Sequence, residues 1–202
     1  MGAMSQTILE LYDVETVPEI SVHGRTDCGI TDELFEKLGV DLECKKSEFF
    51  AAYCERLQQK MKSSGGVVLP AVVDVLDQLS FNPRVSLGIL TGNVEKAAQI
   101  KLNHFGLSEY FAFGGYGDNS SDRNDVAAEA KEKAIEHLGE QFEESKVWVI
   151  GDTRNDVRCA HSIKAKALAV ATGGESKKQL LESGPDLFLE NLEQAQKWVG
   201  GF

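Results

Sequence analysis

The sequence predicts an α/β fold in which a doubly wound, mostly parallel sheet follows a small helical lobe. From residue 84 onward, short apolar runs typical of strands alternate with helical patterns; the runs are 84–90, 110–113, 146–150, 165–171 and 187–189. Before residue 66 the apolar spacing is helical, and no strong strand pattern occurs. Strands that alternate with helices form βαβ units, so we expect a Rossmann-like core.

The domain organisation follows from this change of pattern. Residues 1–4 resemble a remnant of an expression vector, and we leave them out of the fold prediction. Helices are predicted over 5–12, 26–38 and 47–62, with Gly39 as a C-terminal stop. The helical lobe is therefore assigned to 5–66 and the α/β core to 67–202.

Composition limits the classes of partner. A net charge of -11 argues against nucleic acid, because no basic stripe could meet the phosphates. No apolar run approaches 18 residues, so we expect no membrane span. The four cysteines, Cys28, Cys44, Cys54 and Cys159, lack CxxC spacing and are typical of reduced thiols, which favours a cytoplasmic protein.

Two carboxylates follow the predicted strand at 146–150. Gly151 allows a tight turn, Asp152 stands at the strand end, and Asp156 falls in the first turn of the next helix. Ligands bind at this edge of an open α/β sheet. No Lys or Arg partner is obvious, so the pair is predicted to hold a cation such as Mg²⁺. The alternative is an Asp N-cap with a solvated second Asp.

Two other strand ends carry polar residues. Thr91, Gly92 and Asn93 follow the 84–90 strand and could cradle an anion with a hydroxyl and free N–H groups, although Thr and Asn also cap many helices. Arg123 precedes a helix and could bind a phosphate through two N–H groups. A surface ion pair with a neighbour on the same helix is the alternative for Arg123.

In combination, these segments resemble the haloacid dehalogenase superfamily. Leu-Gly-Ile-Leu-Thr-Gly-Asn at 87–93 is similar to that family's phosphate-binding second motif, and Arg123 stands where its third-motif Lys or Arg would be. Residues 151–160 are similar to its metal-binding fourth motif. His-Gly-Arg-Thr-Asp at 23–27 resembles the phosphoglycolate-phosphatase-like branch with a small helical cap.

The resemblance implies a Mg²⁺-dependent phosphatase acting on a small, phosphoglycolate-like phosphorylated metabolite. By this resemblance Asp152 and Asp156 would hold Mg²⁺. The phosphoryl group would be bound by a set of strand-end residues: Thr91, Gly92, Asn93 and Arg123. Arg25, in the cap, would lie near the leaving group of the substrate.

The chain departs from the family at its first motif. The family has a strand that ends in Asp-x-Asp-x-Thr/Val, whose first Asp is the nucleophile, and the chain has no clear copy. That strand would lie between the 84–90 and 146–150 strands, so its absence leaves a slot on the order of 10 Å wide. Residues 7–13 could enter as a replacement strand, which would place Asp13 at the nucleophile position. A truncated chain or gene, a strand from another chain, or direct pairing of the flanking strands would also account for the departure.

Two functional hypotheses follow. The first is a phosphatase that forms an aspartyl-phosphate. The second is a catalytically inactive relative that binds phosphate and metal or serves as an assembly module. Self-association is expected if sheet edges are exposed. A receiver domain is disfavoured, because its acidic residues would come early in the chain.

Overall fold

The computed structural model describes residues 2–40, 42–64 and 66–199, and within them the side chains of 42–44, 64, 196 and 197 lie outside the description. The cysteine prediction for Cys44 therefore falls outside the described residues. Cys28, Cys54 and Cys159 are buried free thiols.

Three helices form the helical lobe: α1 (Ala3–Leu11), α2 (Asp27–Leu38) and α3 (Leu42–Ser64). Helix α2 begins at the N-cap Thr26, whose hydroxyl accepts the N–H of Gly29 at 3.0 Å. It ends at Gly39, which adopts the left-handed conformation with φ 67°. The predicted stop at Gly39 is confirmed, because glycine takes this conformation without a steric penalty.

Aromatic side chains hold the helical lobe together. The rings of Phe35 and Phe49 are fully buried and meet edge to face at 5.4 Å between centroids. Tyr12 packs on Phe35 in the same way at 5.3 Å. The buried Ile8 attaches α1 to this cluster.

The rest of the described chain alternates helices with short strands, as predicted. The elements are α4 (Val72–Ser80), β1 (Gly88–Leu90), α5 (Glu95–His104), β2 (Phe113–Gly115), α6 (Arg123–Leu138), β3 (Trp148–Gly151), α7 (Arg154–Ser162), β4 (Lys166–Val170), α8 (Lys177–Glu182), β5 (Leu187–Leu189) and α9 (Ala195–Val199). Strand β1 is shorter than the predicted 84–90, because the N–H of Val85 turns back to the carbonyl of Asn82 at 3.0 Å.

Strand β2 is displaced from the predicted strand at 110–113. Residues Ser108–Tyr110 form a 3₁₀ turn instead, and the strand begins at Phe113. The two glycines that follow are poor strand formers by propensity. Close packing of α6 on the strand requires a glycine at residue 115. A Cβ on Gly115 would lie 2.3 Å from the carbonyl oxygen of Val126 in α6.

The strands form two separate parallel sheets rather than one. Strand β1 pairs with β2, and β3 pairs with β4, which pairs with β5. Within the described residues no strand connects β1 to β3. The predicted α/β class and the predicted gap at the first central strand are confirmed.

The hypothesis that residues 7–13 replace the missing strand is wrong. Residues 7–11 belong to helix α1, and Asp13 lies in a turn with φ 49°. Helical spacing prevails because it buries Ile8 in the lobe and leaves Glu10 on the surface, where it pairs with Arg56. A strand would have buried the Glu10 charge.

Candidate functional site

The carboxyl ends of β1, β2 and β3 lie together beneath one loop. Residues 24–28, which end with the first two residues of α2, bond to residues that follow each of the three strands. The carbonyl of Gly24 accepts the side-chain amide of Asn155, in the first turn of the helix that follows β3, at 2.7 Å. The Asp27 N–H donates to the Gly92 carbonyl at 2.6 Å, and the Cys28 N–H donates to the Gly117 carbonyl at 3.3 Å. We call residues 24–28 the edge loop.

Asp156 is a structural carboxylate as well as a predicted metal ligand. It is only 8% exposed. Its Oδ2 accepts the N–H of Thr153 at 3.0 Å, the N–H of Asp152 at 3.2 Å and the Thr153 hydroxyl at 2.7 Å. Thr153 is the N-cap of α7, and the two side chains form a capping box. The alternative with Asp152 as the cap and a solvated Asp156 is therefore wrong.

Arg123 supplies the cation partner that was not evident from the sequence. Its Nη2 lies 2.5 Å from Asp156 Oδ1, and the two side chains are 12% and 11% exposed. The pair links the first turn of α6 to the first turn of α7, so the interpretation of Arg123 as an exposed pair on one helix is wrong. Its Nε is buried without a hydrogen-bond partner in the described structure.

Asp152 keeps its carboxylate apart from this pair. Burial, followed by the nearby negative charge of Asp156, raises the pKa of Asp152. The loop after β4 approaches closely, since a Cβ on Gly173 would lie 2.4 Å from Asp152 Oδ2. Asp152 is thus a crowded, partly desolvated acid at the end of β3.

Asp152 and Asp156 are the carboxylates that could hold Mg²⁺, but Asp156 is already bonded to protein donors. Mg²⁺ prefers octahedral oxygen coordination and is usually held through one or two carboxylates, waters and a substrate phosphate. Both oxygens of Asp156 already bind protein donors, which leaves Asp152 as the available carboxylate of the predicted pair. In the described part of the chain, no three His, Cys, Asp or Glu side chains gather around a common point.

The predicted anion cradle at the start of α5 is already bonded to protein oxygens. The Asn93 N–H donates to the Thr91 hydroxyl at 3.2 Å. The next two N–H groups, of residues 94 and 95, donate to carboxylates of Asp27 at 3.0 Å and Asp118 at 2.8 Å. These carboxylates complement the positive end of the helix, as an external anion would.

Asp27 is the site residue that the sequence analysis missed. It is 4% exposed, and its two oxygens also accept the Asn93 amide at 3.2 Å. Lys101 donates to the other end of that amide at 2.8 Å. Burial raises the pKa of Asp27 and lowers the pKa of Lys101. Asp27 directly follows the Gly-Arg-Thr segment at 24–26. The sequence around Asp27 indicates only that a helix begins there.

Replacement of Asp27 by Asn is expected to change the pH dependence of stability. Because the folded pKa of Asp27 is raised, its contribution to stability is fully present below the ordinary Asp pKa and is lost as pH rises through the folded value. The stability of Asp27→Asn relative to wild type should therefore increase with pH across that window. Urea unfolding at several pH values measures the difference, and a difference independent of pH would contradict the assignment.

A cavity of about 720 Å³ lies between the helical lobe and the start of α5. Its walls include Arg25, Asp27, Asn93 and Lys101. The Arg25 guanidinium is already bonded to Glu33 at 2.5 Å and to two backbone carbonyls. Arg25 thus lines the cavity with its guanidinium already bonded to protein groups, and its predicted substrate role stays a prediction.

Comparison with protein families identifies one match that spans most of the chain. The protein-family model with the description haloacid dehalogenase-like hydrolase matches residues 3–170 of this chain. No curated protein matches the chain at a significant level.

Solved structures share the fold at low sequence identity. A predicted phosphoglycolate phosphatase from Haemophilus somnus 129pt has a TM-score of 0.70 at 17% identity, with 97% of this chain and 88% of that chain covered. CbbY from Rhodobacter sphaeroides, solved in complex with phosphate, has a TM-score of 0.73 at 14% identity, covering 96% and 87%. A predicted phosphatase from Clostridium acetobutylicum has a TM-score of 0.66 at 18% identity, covering 99% and 91%.

Proposed function

Because this chain belongs to the haloacid dehalogenase-like hydrolase family, we propose that it binds the phosphoryl group of a small phosphorylated metabolite at the carboxyl ends of β1 and β3. We further propose that residues 1–202 do not hydrolyse the ester without a carboxylate from elsewhere. Arg123 carries the first part of the proposal. It is a nearly buried cation at the sheet edge that also holds Thr91 and Asp152, and its side chain keeps 12% of its surface exposed.

The chemistry of the three residues suits a phosphoryl group. An arginine fork binds phosphate oxygens through paired N–H groups, and its remaining donor capacity exceeds what Asp156 uses. The Thr91 hydroxyl can donate to a phosphoryl oxygen while accepting the Asn93 N–H. Asp152 would hold a cation there, and the cation's charge would offset the repulsion between this carboxylate and the phosphoryl group.

The second part of the proposal rests on where the carboxylates are. Attack on phosphorus needs a nucleophilic carboxylate that faces the bound group. Asp27 is directed at the N-terminus of α5, and Asp156 is enclosed by Arg123 and Thr153. This arrangement favours the hypothesis of a binding module over that of a complete enzyme.

A Mg²⁺-dependent hydrolase is the second candidate function. Asp152 favours this candidate. Of the two predicted metal ligands, Asp156 is paired with Arg123, and Asp152 is not part of that ion pair. When bound, Mg²⁺ would neutralise charge on the phosphoryl group. Asp152 and Asp156 would hold it, but Asp156 would first have to exchange a protein donor for the metal.

The organic part of the metabolite would enter the cavity beside the edge loop. Asn93 links the two regions, because it directly follows Thr91–Gly92 and lines the cavity. A phosphoglycolate-like ester is our proposal for its chemistry. Among the described residues, no helix has the length and apolarity needed to cross a membrane. A cytoplasmic location and self-association stay predictions.

Titration with inorganic phosphate tests the binding function. We expect saturable binding that weakens about tenfold in Arg123→Lys, because lysine keeps the charge but loses the fork. The control Lys178→Arg alters an exposed cation on α8, whose side chain is 84% exposed, and should leave binding unchanged. Equal phosphate affinity for wild type and Arg123→Lys would contradict the proposed role of Arg123.

A further inference from the structure

A thiol, an amine and a carboxylate meet where α2 packs on α3. Lys46 Nζ, in α3, donates to Cys28 Sγ at 2.9 Å and to Asp32 Oδ1 at 2.6 Å. Asp32 lies one turn after Cys28 in α2, and its Oδ2 lies 3.7 Å from the same sulfur. We call these three side chains the Cys–Lys–Asp cluster. They do not belong to the phosphoryl-binding set proposed above.

The position of Lys46 favours the thiolate form of Cys28. Its ammonium lies closer to the sulfur than the Asp32 carboxylate does. Cys28 also lies in the first turn of α2, at the positive end of that helix. A neighbouring cation and a helix N-terminus both stabilise a thiolate, which is the reactive form of cysteine. Although burial acts to lower it, the pKa of Lys46 is raised by its bonds to Asp32 and Cys28, so Lys46 is charged at neutral pH.

Cys28 is the most accessible of the three described thiols. It is 5% exposed, whereas Cys54 and Cys159 are 1% and 0% exposed, and burial raises the pKa of both of those thiols. The Lys46 and Asp32 side chains that cover Cys28 are 28% and 37% exposed. An oxidant as small as hydrogen peroxide can therefore approach the sulfur from the solvent side of the cluster.

We propose that the Cys–Lys–Asp cluster is an oxidation site, at which a peroxide joins Cys28 to Lys46 through a sulfur–nitrogen bond. The bond would tie α2 to α3 across 18 positions of sequence. The Cys28 N–H donates to the Gly117 carbonyl. The bond would therefore connect α3 to the end of the edge loop.

The first step oxidises the sulfur and reduces the peroxide. The Cys28 thiolate attacks one oxygen of hydrogen peroxide, the O–O bond breaks, and the departing hydroxide takes up a proton to become water. The product is a sulfenic acid, in which the sulfur has lost two electrons. The charge of Lys46 serves this step, because it holds the sulfur as a thiolate.

The second step replaces the hydroxyl group on sulfur with Lys46 Nζ. Asp32 Oδ1 is placed to take one proton from the ammonium, and the amine then attacks a sulfur 2.9 Å away. This separation is close to the ~3–3.5 Å at which reacting atoms are held for attack. The S–N bond forms as the S–O bond breaks, and the hydroxide leaves as water with the proton from Asp32. The second ammonium proton is released to solvent, and the product is a sulfenamide.

Mass spectrometry of the peroxide-treated protein tests the proposal. The full chain is treated with hydrogen peroxide, unfolded, alkylated with iodoacetamide and digested with trypsin. We expect the peptides that carry Cys28 and Lys46 to be joined, with the loss of two hydrogen atoms and without cleavage after Lys46. Dithiothreitol should separate them again, because a thiol reduces the S–N bond.

Lysine variants separate the role of the amine from the role of the charge. Lys46→Arg keeps a cation beside the sulfur, so Cys28 should still form a sulfenic acid, which dimedone labels, but the joined peptides should disappear. Lys46→Met removes the cation and should slow the oxidation of Cys28 about tenfold. Lys45→Arg is the matched control, because that side chain is 49% exposed and pairs with Glu48, and it should leave the yield unchanged. Circular dichroism establishes that the variants are folded.

Three results would overturn the proposal. One is a Cys28 that remains a free thiol while Cys54 or Cys159 is oxidised. Another is a joined product that forms equally in Lys46→Arg, which would identify a disulfide with another cysteine. The third is sulfenic or sulfinic acid at Cys28 in the wild type with Lys46 unmodified. Phosphate takes no part in these measurements, so they succeed or fail independently of the proposed function.

Discussion

Arg123→Met is expected to destabilise the folded protein by about 3–5 kcal/mol, the usual cost of removing one member of a buried ion pair. The substitution leaves the Asp156 carboxylate, 8% exposed, without the cation that faces its Oδ1. It also removes the connection between α6 and α7 at the sheet edge. Urea unfolding of wild type and variant gives the difference in the free energy of unfolding.

An exposed ion pair supplies the control for this measurement. Lys146 and Glu143 lie 2.7 Å apart, but their side chains are 73% and 56% exposed. Lys146→Met should therefore cost only about 0–1 kcal/mol. If Arg123→Met is no more destabilising than Lys146→Met, the Arg123–Asp156 pair does not hold the site together.

Gly92→Ala is expected to cost about 3 kcal/mol, the upper part of the usual range for overpacking. A Cβ at residue 92 would lie 2.2 Å from the Arg25 carbonyl oxygen and 3.1 Å from the Cα of Thr26. Both contacts are backbone atoms of the edge loop, so no rotamer change relieves them. The loop must move away from the end of β1, which breaks the bond from the Asp27 N–H to the Gly92 carbonyl.

Amide hydrogen exchange locates the expected displacement. In Gly92→Ala the N–H groups of Asp27 and Cys28 should exchange faster than in wild type, because both donate to strand-end carbonyls. Gly174→Ala is the control, since its Cβ would meet His23 at an ordinary 3.6 Å. Its effect should be within about 0.5 kcal/mol. Unchanged exchange at Asp27 and Cys28 in Gly92→Ala would contradict the close packing of the loop.

The alternation of strands and helices could be predicted because it depends on local spacing. The strand predicted at 187–189 has the same bounds in the structure, and the helix predicted over 26–38 begins one residue later, at Asp27. These signals lie within a few consecutive residues. The gap between β1 and β3 was predictable by another route, through the resemblance to the family, because the family's first motif has no clear copy in the chain.

The partners of the site residues could not be predicted in the same way. Asp27 meets Val94 across 67 positions of sequence, and Arg123 meets Asp156 across 33. No periodicity connects such positions, so Asp27 was assigned only to a helix start. The wrong strand at 110–113 has a related cause, since Gly115 belongs to β2 only because α6 packs closely on it.

Hydrolysis of p-nitrophenyl phosphate by this chain tests the central claim most directly. The assay compares the rate with Mg²⁺ against two controls, EDTA and the Asp152→Asn protein. We predict no Mg²⁺-dependent rate above those controls, because loss of the nucleophile costs several orders of magnitude in rate. Hydrolysis that disappears in both controls would contradict the account, since it would require a nucleophilic carboxylate within this chain.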